Sequence, residues 1–431
     1  MNLLIIGNGF DLTHELPTSY GNFLEYCRGY TEDKPVSEDE KLNEEFSAFI
    51  HNNVWLKYFL KIDAAKNGAR TWIDFEKEIA DIIKYIEPNN FTVEHKIYFN
   101  APAENVVVLE GDWGKFEEFM PSLSTEQRRL YESKTKYVLF DEAGADIVSF
   151  IDYIYAQLRK FTRAFEIYCL MVNEISMSKS FVFRERVDQR MKALATIETC
   201  DRKLPNQISR SYITPETVRL RRERREAIEQ YDCLNRQIGV VDYLAMSAFD
   251  RVLSFNYTNT YERLYGNDKT QYCYIHGKAQ EDEGKTNLIL GIDDALTGGK
   301  ESRDFKCVRF KKYYQRIIFR TGAEYKDWLV SGELNDGHRH DVHIVGHSLD
   351  RTDYDVLYEF FSDARFRIIV YYYCQDDFED KIKKVIQLLA YKGGNGRDEL
   401  IRRVHGEQWS IKFVNQYDKV DGLFIRSAHS G

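Results

Sequence analysis

The sequence predicts a mixed α/β fold, with one doubly wound, mostly parallel sheet split by a large, mainly helical insertion. Three patterns lead there. The chain opens on an apolar run, Leu3 to Ile6, that breaks at once into Gly7-Asn8-Gly9. From Arg251 onward, apolar runs of strand length return in series, several nearly continuous, as strands covered on both faces require. Between the two, from about Tyr30 to Met246, apolar residues mostly recur at helical spacing.

Taken in order, Met1 to Gly7 reads as a buried strand, Gly7-Asn8-Gly9 as a tight turn, and Gly21 to Tyr26 as helix. Asp74 to Tyr85 sets Phe75, Ile79, Ile82 and Ile83 on one helical face, and Ile151 to Glu174 is a long amphipathic helix. Asn105 to Leu109 and Tyr137 to Phe140 are short apolar runs of strand character inside this region. Thr214-Pro215-Glu216 starts a helix, with a threonine N-cap and proline at the first helical position. The later strands are expected at Val252 to Asn256, Tyr272 to His276, Asn287 to Gly291, Val342 to Gly346, Phe366 to Cys374 and Ile411 to Val414, with a helix over Asp376 to Tyr391. The simplest arrangement joins residues 1–30 and 247–431 in one α/β nucleotide-binding domain and makes 31–246 the insertion.

Composition narrows the function classes. With 43% hydrophobic and 30% charged residues among 431, a soluble globular protein is expected rather than a disordered one. The longest apolar run, Ile368 to Cys374, is strand-sized, well short of the roughly 18 residues of a membrane span. The first residues lack the basic start of a signal peptide. Seven scattered cysteines without a Cys-x-x-Cys argue for a reducing, cytoplasmic setting and against a disulfide frame or a cysteine zinc site. A net charge of −9 gives no support for binding nucleic acid over the whole surface. Residues 179–236 run the other way, with 14 Lys+Arg against 9 Asp+Glu, densest at Arg219, Arg221, Arg222, Arg224 and Arg225. A solvated helix face with internal ion pairs accounts for this, with a phosphate- or partner-contacting surface as the alternative.

Four places could carry chemistry. Gly7-Asn8-Gly9-Phe10-Asp11 follows the first strand, where glycines let backbone amides approach a phosphate; position 12 is Leu, so the dinucleotide fingerprint G-x-G-x-x-G is incomplete and a structural turn is the competing reading. Asn256 and Thr258 sit at the carboxyl end of a strand, where they would bind ribose hydroxyls, position a water, or cap a helix. His276, ahead of Gly277, ends the next strand and has the chemistry of a general base. Gly346-His347-Ser348-Leu349-Asp350 forms a second strand-to-glycine turn; Asp350 breaks the G-x-S-x-G nucleophile elbow. His338, His340, His343 and His347 lack a helical metal-binding spacing, and no metal is expected.

Together these motifs resemble the AbiH family of abortive-infection, anti-phage proteins. Ile5 to Leu24 (IIGNGFDLTHELPTSYGNFL), Thr71 to Glu76, Phe255 to Glu262, His276-Gly277 and Gly346 to Leu349 carry the resemblance, which reaches both ends of the chain but leaves much of 90–240 uncovered. In a more distant way, the order of Gly-x-Gly, Asn256, His276-Gly277 and Gly-x-Ser-Leu is similar to the Rossmann-like fold of sirtuins and sirtuin-like NADases. That resemblance implies NAD as substrate or ligand. Asn256 and His276, with Asp11, would serve the nicotinamide-ribose chemistry. The remaining cofactor-binding positions would be Gly7, Asn8, Gly9, Phe10, Ser19, Tyr20, Thr258, Gly346, His347 and Ser348, with the pyrophosphate at Gly7 to Phe10. The chain departs from the pattern at Thr258, where aspartate is usual, at Asn8, where alanine is usual, and at Asp11, where a small polar residue is common. It also lacks the four-cysteine zinc module, which disfavours a protein deacylase. The implied function is an abortive-infection effector that binds and hydrolyses NAD. The alternatives are a nucleotide sensor or another nucleotide-processing enzyme of the same fold, and a nucleic-acid-directed toxin or nuclease. The expected partners are a nucleotide, further copies of the chain, and a phage-derived or nucleic-acid trigger; no membrane partner is expected.

Overall fold

The computed structural model describes residues 2–31, 36–51, 53–65, 72–86, 93–95, 106–109, 137–140, 150–204, 214–237, 249–292, 305–405 and 409–416. In chain order the strands are β1 (Asn2–Ile6), β2 (Val93–His95), β3 (Val106–Leu109), β4 (Tyr137–Phe140), β5 (Arg251–Ser254), β6 (Gln271–Tyr274), β7 (His340–Val345), β8 (Phe366–Tyr372) and β9 (Ile411–Asn415). The α-helices are α1 (Asn8–Thr13), α2 (Tyr20–Gly29), α3 (Glu40–His51), α4 (Val54–Ala65), α5 (Trp72–Ile86), α6 (Phe150–Lys203), α7 (Pro215–Gln237), α8 (Thr260–Tyr265), α9 (Lys312–Phe319), α10 (Tyr325–Val330), α11 (Tyr354–Ser362), α12 (Gln375–Leu389) and α13 (Gly396–Val404).

Six strands form one all-parallel sheet in the order β6-β5-β1-β7-β8-β9. Counting these strands alone along the chain, the spatial order is 3-2-1-4-5-6, so the winding reverses between β1 and β7. β1 lies at the centre and alternates between two cores, as a strand's two-residue period demands. Leu3 and Ile5 pack on one face with Val342, Ile344, Phe360 and Val385; Leu4 and Ile6 pack on the other with Phe10, Tyr261 and Val345. The chain leaving β1 therefore turns to one face, where α1 carries Phe10, and the chain leaving β7 leads to the other, where α11 carries Leu357 and Phe360. A crevice opens between them at the carboxyl edge.

A third core belongs to the helical region, and it is aromatic. Phe23 lies 5.6, 5.0 and 5.3 Å, centroid to centroid, from Phe161, Phe165 and Tyr168. Tyr257, Leu288, Leu290 and Phe310 belong to the same cluster, so the helices share a core with segments that follow β5. The anchor is Arg163 on α6, which ion-pairs with Glu45 and Glu166 at 2.9 and 2.8 Å and donates to the carbonyls of Gln280 and Glu281. The region between β1 and β5 also contains an antiparallel sheet, β2-β3-β4, of which β3 and β4 match the two apolar runs noted in the sequence and β2 was not foreseen.

One expected strand is corrected. Asn287 to Gly291, buried and apolar from Leu288 onward, joins no sheet. Its backbone is satisfied otherwise: the Leu290 amide and carbonyl bond the Gln315 side chain at 3.1 and 3.0 Å, Tyr257 donates to the Ile289 carbonyl at 2.9 Å, and the Ile289 amide reaches the His276 carbonyl at 2.8 Å. Side-chain partners make the ladder unnecessary.

Candidate functional site

The crevice is a cavity of about 820 Å³. Its floor is the pair of glycine turns after β1 and β7, and they interlock. The Gly7 amide donates to the Val345 carbonyl at 3.2 Å, the Gly9 amide to the Gly346 carbonyl at 2.8 Å, and the Phe10 amide to the Gly7 carbonyl at 2.9 Å. A Cβ on Gly9 would lie 2.8 Å from the Gly346 Cα, and one on Gly346 would lie 2.1 Å from the Phe10 nitrogen; Gly346 also has φ +63°. These glycines are required for backbone to approach backbone. The Gly9 and Phe10 amides, expected to face a phosphate, are thus hydrogen-bonded within the protein.

Asn8, Asp11, Ser19, Tyr20, Asn256, Thr258, His276, Gly346, His347 and Ser348 all line the cavity, together with Gly7 and Gly9. Phe10 does not; its ring is 1% exposed and packs against His14 and Tyr261, under the opposite side of the turn. Ser19 caps α2, accepting from the Asn22 amide at 3.1 Å, so its hydroxyl already has a structural task. Helices from the region between β1 and β5 complete the wall with Glu76, Phe165 and Cys169. Burial pushes the Cys169 thiol well above its usual range, which makes it a poor nucleophile at neutral pH.

Two polar groupings face this space. In the first, Thr258 donates to Asp11 Oδ2, and Thr260 donates to Thr258 at 3.2 Å. Burial raises the Asp11 carboxyl to about 6, against the lowering effect of Thr258, Thr260 and Asn256. Asn256 is near enough to favour the carboxylate, yet neither its amide oxygen nor its nitrogen closes a hydrogen bond among the described residues, and Asp11 Oδ1 is likewise unmatched. In the second, the Asp353 carboxylate gathers His276 Nε2 at 3.3 Å, His347 Nε2 at 3.6 Å and Lys312 Nζ at 3.3 Å, while Lys312 also pairs with Glu76 at 2.8 Å. Lys312 and the two histidines hold Asp353 far below the usual carboxylate range in spite of its burial. Burial, with the Lys312 charge beside it, lowers His276 to about 4; burial also lowers His347 to about 4. Both imidazoles are neutral at pH 7.

The tautomers follow from the partners. His276 presents Nε2 to a carboxylate, so its proton sits there and Nδ1 keeps a lone pair; Nδ1 has no hydrogen-bond partner among the described residues. His347 Nδ1 accepts from the Leu349 amide at 2.9 Å, so its proton is on Nε2, toward Asp353. With both nitrogens committed, His347 has nothing left to activate Ser348. Sequence reasoning missed Asp353, Lys312 and Glu76 as site residues. Glu76 lay in the Thr71 to Glu76 motif without a role, and Asp353 shortly follows the Gly-His-Ser-Leu turn, but Lys312 opens an ordinary amphipathic helix and carried no signal.

The family comparison adds identity to this geometry. Residues 3–373 match the model of the family described as Bacteriophage abortive infection AbiH. The chain belongs to the AbiH family. No curated protein and no solved structure matches it. In this AbiH chain the stretch Ile5 to Leu24 builds the end of β1, its turn, α1 and the start of α2, which is the floor and one wall of the cavity. His276-Gly277 is held by shape as well: Gly277 has φ +78°, and a Cβ there would lie 2.1 Å from the Asn287 carbonyl oxygen.

Elsewhere, the arginine-rich helix α7 pairs Arg219 with Glu223 at 3.5 Å, Arg222 with Glu226 at 4.0 Å and Arg224 with Asp201 of α6 at 2.5 Å, in keeping with a solvated, internally paired face. Among the described residues no helix is long and apolar enough to cross a membrane.

Proposed function

We propose that this AbiH protein is an abortive-infection effector that binds NAD in the cavity at the carboxyl edge of its sheet and hydrolyses the bond to nicotinamide. The observation that carries the reading is a set of buried polar atoms on Asp11, Asn256 and His276 that close no hydrogen bond among the described residues, on side chains that line the cavity at the winding reversal. Buried polar groups are nearly always matched, so unmatched ones lining a pocket mark where a ligand bonds. The 3-2-1-4-5-6 strand order supports a dinucleotide, because doubly wound sheets of that order bind one at their reversal point. The sirtuin resemblance gains support from Asp11: it brings a carboxylate beside Thr258, the position at which the sirtuin pattern has aspartate.

In the proposed reaction the C1′–N bond to the pyridinium breaks with its electron pair leaving on neutral nicotinamide, and positive charge develops on the ribose as an oxocarbenium ion. The Asp11 carboxylate stabilises that charge. Asn256 orients a ribose hydroxyl or the water whose oxygen bonds C1′, and the water's proton passes to His276 Nδ1. The Asp353 contact at Nε2 fixes the ring for this task. His276→Ala and Asn256→Ala are each expected to lower NAD turnover by about 100-fold or more with the fold intact, measured by chromatography and circular dichroism. Full activity in both variants contradicts the assignment.

A second reading is a nucleotide sensor. It is favoured by the wall that Glu76, Phe165 and Cys169 contribute, through which occupancy would reach the helices. Tight NAD binding without product distinguishes it. On either reading, a phage-derived or nucleic-acid trigger, or assembly into a homo-oligomer, would act through that same wall.

A further inference from the structure

The charge around the cavity bears on which part of the substrate is recognised, given the reading of the site as an N-glycosidase. Asp11, Glu76, Asp353, Asp377 and Asp380 line it, against Lys381 and Lys384. Both lysines are already engaged. Lys381 lies 3.1 Å from Asp377 and donates to the His347 carbonyl at 3.0 Å, and Lys384 lies 2.8 Å from Asp380 and 2.9 Å from Asp350. Lys312, behind the wall, is shared between Glu76 and Asp353. Asp11 pairs with no cation among the described residues and keeps one oxygen unmatched while 1% exposed.

A diphosphate brought against this wall meets carboxylates and lysines that carboxylates have already neutralised. The amides that would have cradled it, those of Gly9 and Phe10, are bonded to the carbonyls of Gly346 and Gly7. What remains for phosphate is neutral, with Asn8, Thr18, Tyr373 and Ser348 among the lining side chains and no cation there that lacks a carboxylate partner among the described residues. A cation fits the opposite way, since Asp11 is a buried carboxylate in need of a positive neighbour.

We infer that the cavity selects the cationic N-ribosyl pyridinium half of its substrate through Asp11, and that the diphosphate and the rest of a dinucleotide stay at the mouth. The minimal substrate is then the nucleoside, nicotinamide riboside. Its hydrolysis balances as for NAD: water adds its oxygen to C1′, neutral nicotinamide leaves with the bonding pair, one proton passes to His276 Nδ1 and on to solvent, and ribose is released.

The test compares nicotinamide riboside with NAD on the full chain, following nicotinamide by chromatography, with ADP-ribose as competitor. The expected result is kcat/KM values within about tenfold of each other and no competition from ADP-ribose at millimolar concentration. Asp11→Asn is expected to weaken riboside binding by about tenfold or more in calorimetry while the circular dichroism spectrum is kept. Cleavage of NAD with the riboside about 1,000-fold slower, or ADP-ribose competing as well as NAD does, overturns the inference while leaving the glycosidase reading standing. If neither is cleaved, that reading fails, and calorimetry decides the rest: riboside binding lost in Asp11→Asn supports selection of the cation, whereas no riboside binding, or preference for ADP-ribose, overturns it.

Discussion

Asp11 is charged against the interest of the fold. Burial raises its carboxyl from 3.8 to about 6, so the native state favours the neutral form more than the unfolded chain does. The resulting stabilisation is complete below pH 3.8 and is lost as pH rises through 6, leaving the carboxylate at pH 8 at a cost of about 3 kcal/mol. Asp11→Asn keeps the shape and removes that cost. Calorimetry is expected to show a higher Tm for the variant at pH 8, a smaller gain at pH 5, and no NAD turnover at either pH. A variant less stable than wild type at pH 8 would mean that the hydrogen bond from Thr258 to the carboxylate outweighs the burial. Asn256 and His276 were legible in the sequence because each follows an apolar run and stands beside turn residues. Asp353 and Lys312 were not, since their role exists only once α9 and the start of α11 are brought against the turn after β6. Phe10 is the opposite case: it shares the glycine-turn motif of the candidate site, but its ring is in the core.

At the scale of elements, apolar runs of strand length located the strands of the main sheet, and the central ones β1, β7 and β8 were nearly continuous because a central parallel strand has no polar face to interrupt the pattern. Asn287 to Gly291 has the same composition and is no strand; composition reports burial, and only the hydrogen-bond partners, here Gln315 and Tyr257, decide what the backbone does. The glycines after β1 are open in the sequence to a phosphate-facing or a structural role, and the hydrogen bonds of the Gly9 and Phe10 amides within the protein favour the second. Gly346→Ala therefore tests the interlock. With φ +63° and a Cβ 2.1 Å from the Phe10 nitrogen, it should cost roughly 2 kcal/mol or more. Urea denaturation is the measurement, and an unchanged midpoint would show that the turns move apart freely. The helix α6 exceeds its sequence-read span of Ile151 to Glu174, running to Lys203, because α7 packs along its later turns and buries Ala193 and Cys200 there with Leu220 and Ala227.

For the whole molecule, the shared aromatic core matters most. Tyr257, Leu288 and Phe310 are buried in one cluster with Phe23, Phe161 and Phe165. A chain with residues 31–246 replaced by a short linker is expected to be insoluble or molten, seen as lost near-ultraviolet circular dichroism; a cooperatively folding remainder would establish the α/β part as an independent unit. The pH response is set chiefly by buried histidines. His276, His343 and His347 are each lowered from 6.5 to about 4, mainly by burial. Unfolding lets them take up protons that the native state refuses, so their stabilisation is full above pH 6.5 and is lost as pH falls through 4, about 3 kcal/mol for each. Asp11 and Glu166, both raised by burial, gain as pH falls, but His14, lowered by burial, loses along with the other three imidazoles, and the histidines outweigh the carboxyls. Tm should therefore fall between pH 6.5 and 4, and a flat profile there would contradict the burial of these rings. The most direct test of the central claim is a chromatographic time course of purified protein with NAD, run with and without phage lysate, beside a His276→Ala control. The account predicts nicotinamide and ADP-ribose appearing in equal amounts with wild type and neither with the control. NAD left intact under both conditions, or cleaved equally well by His276→Ala, would contradict it.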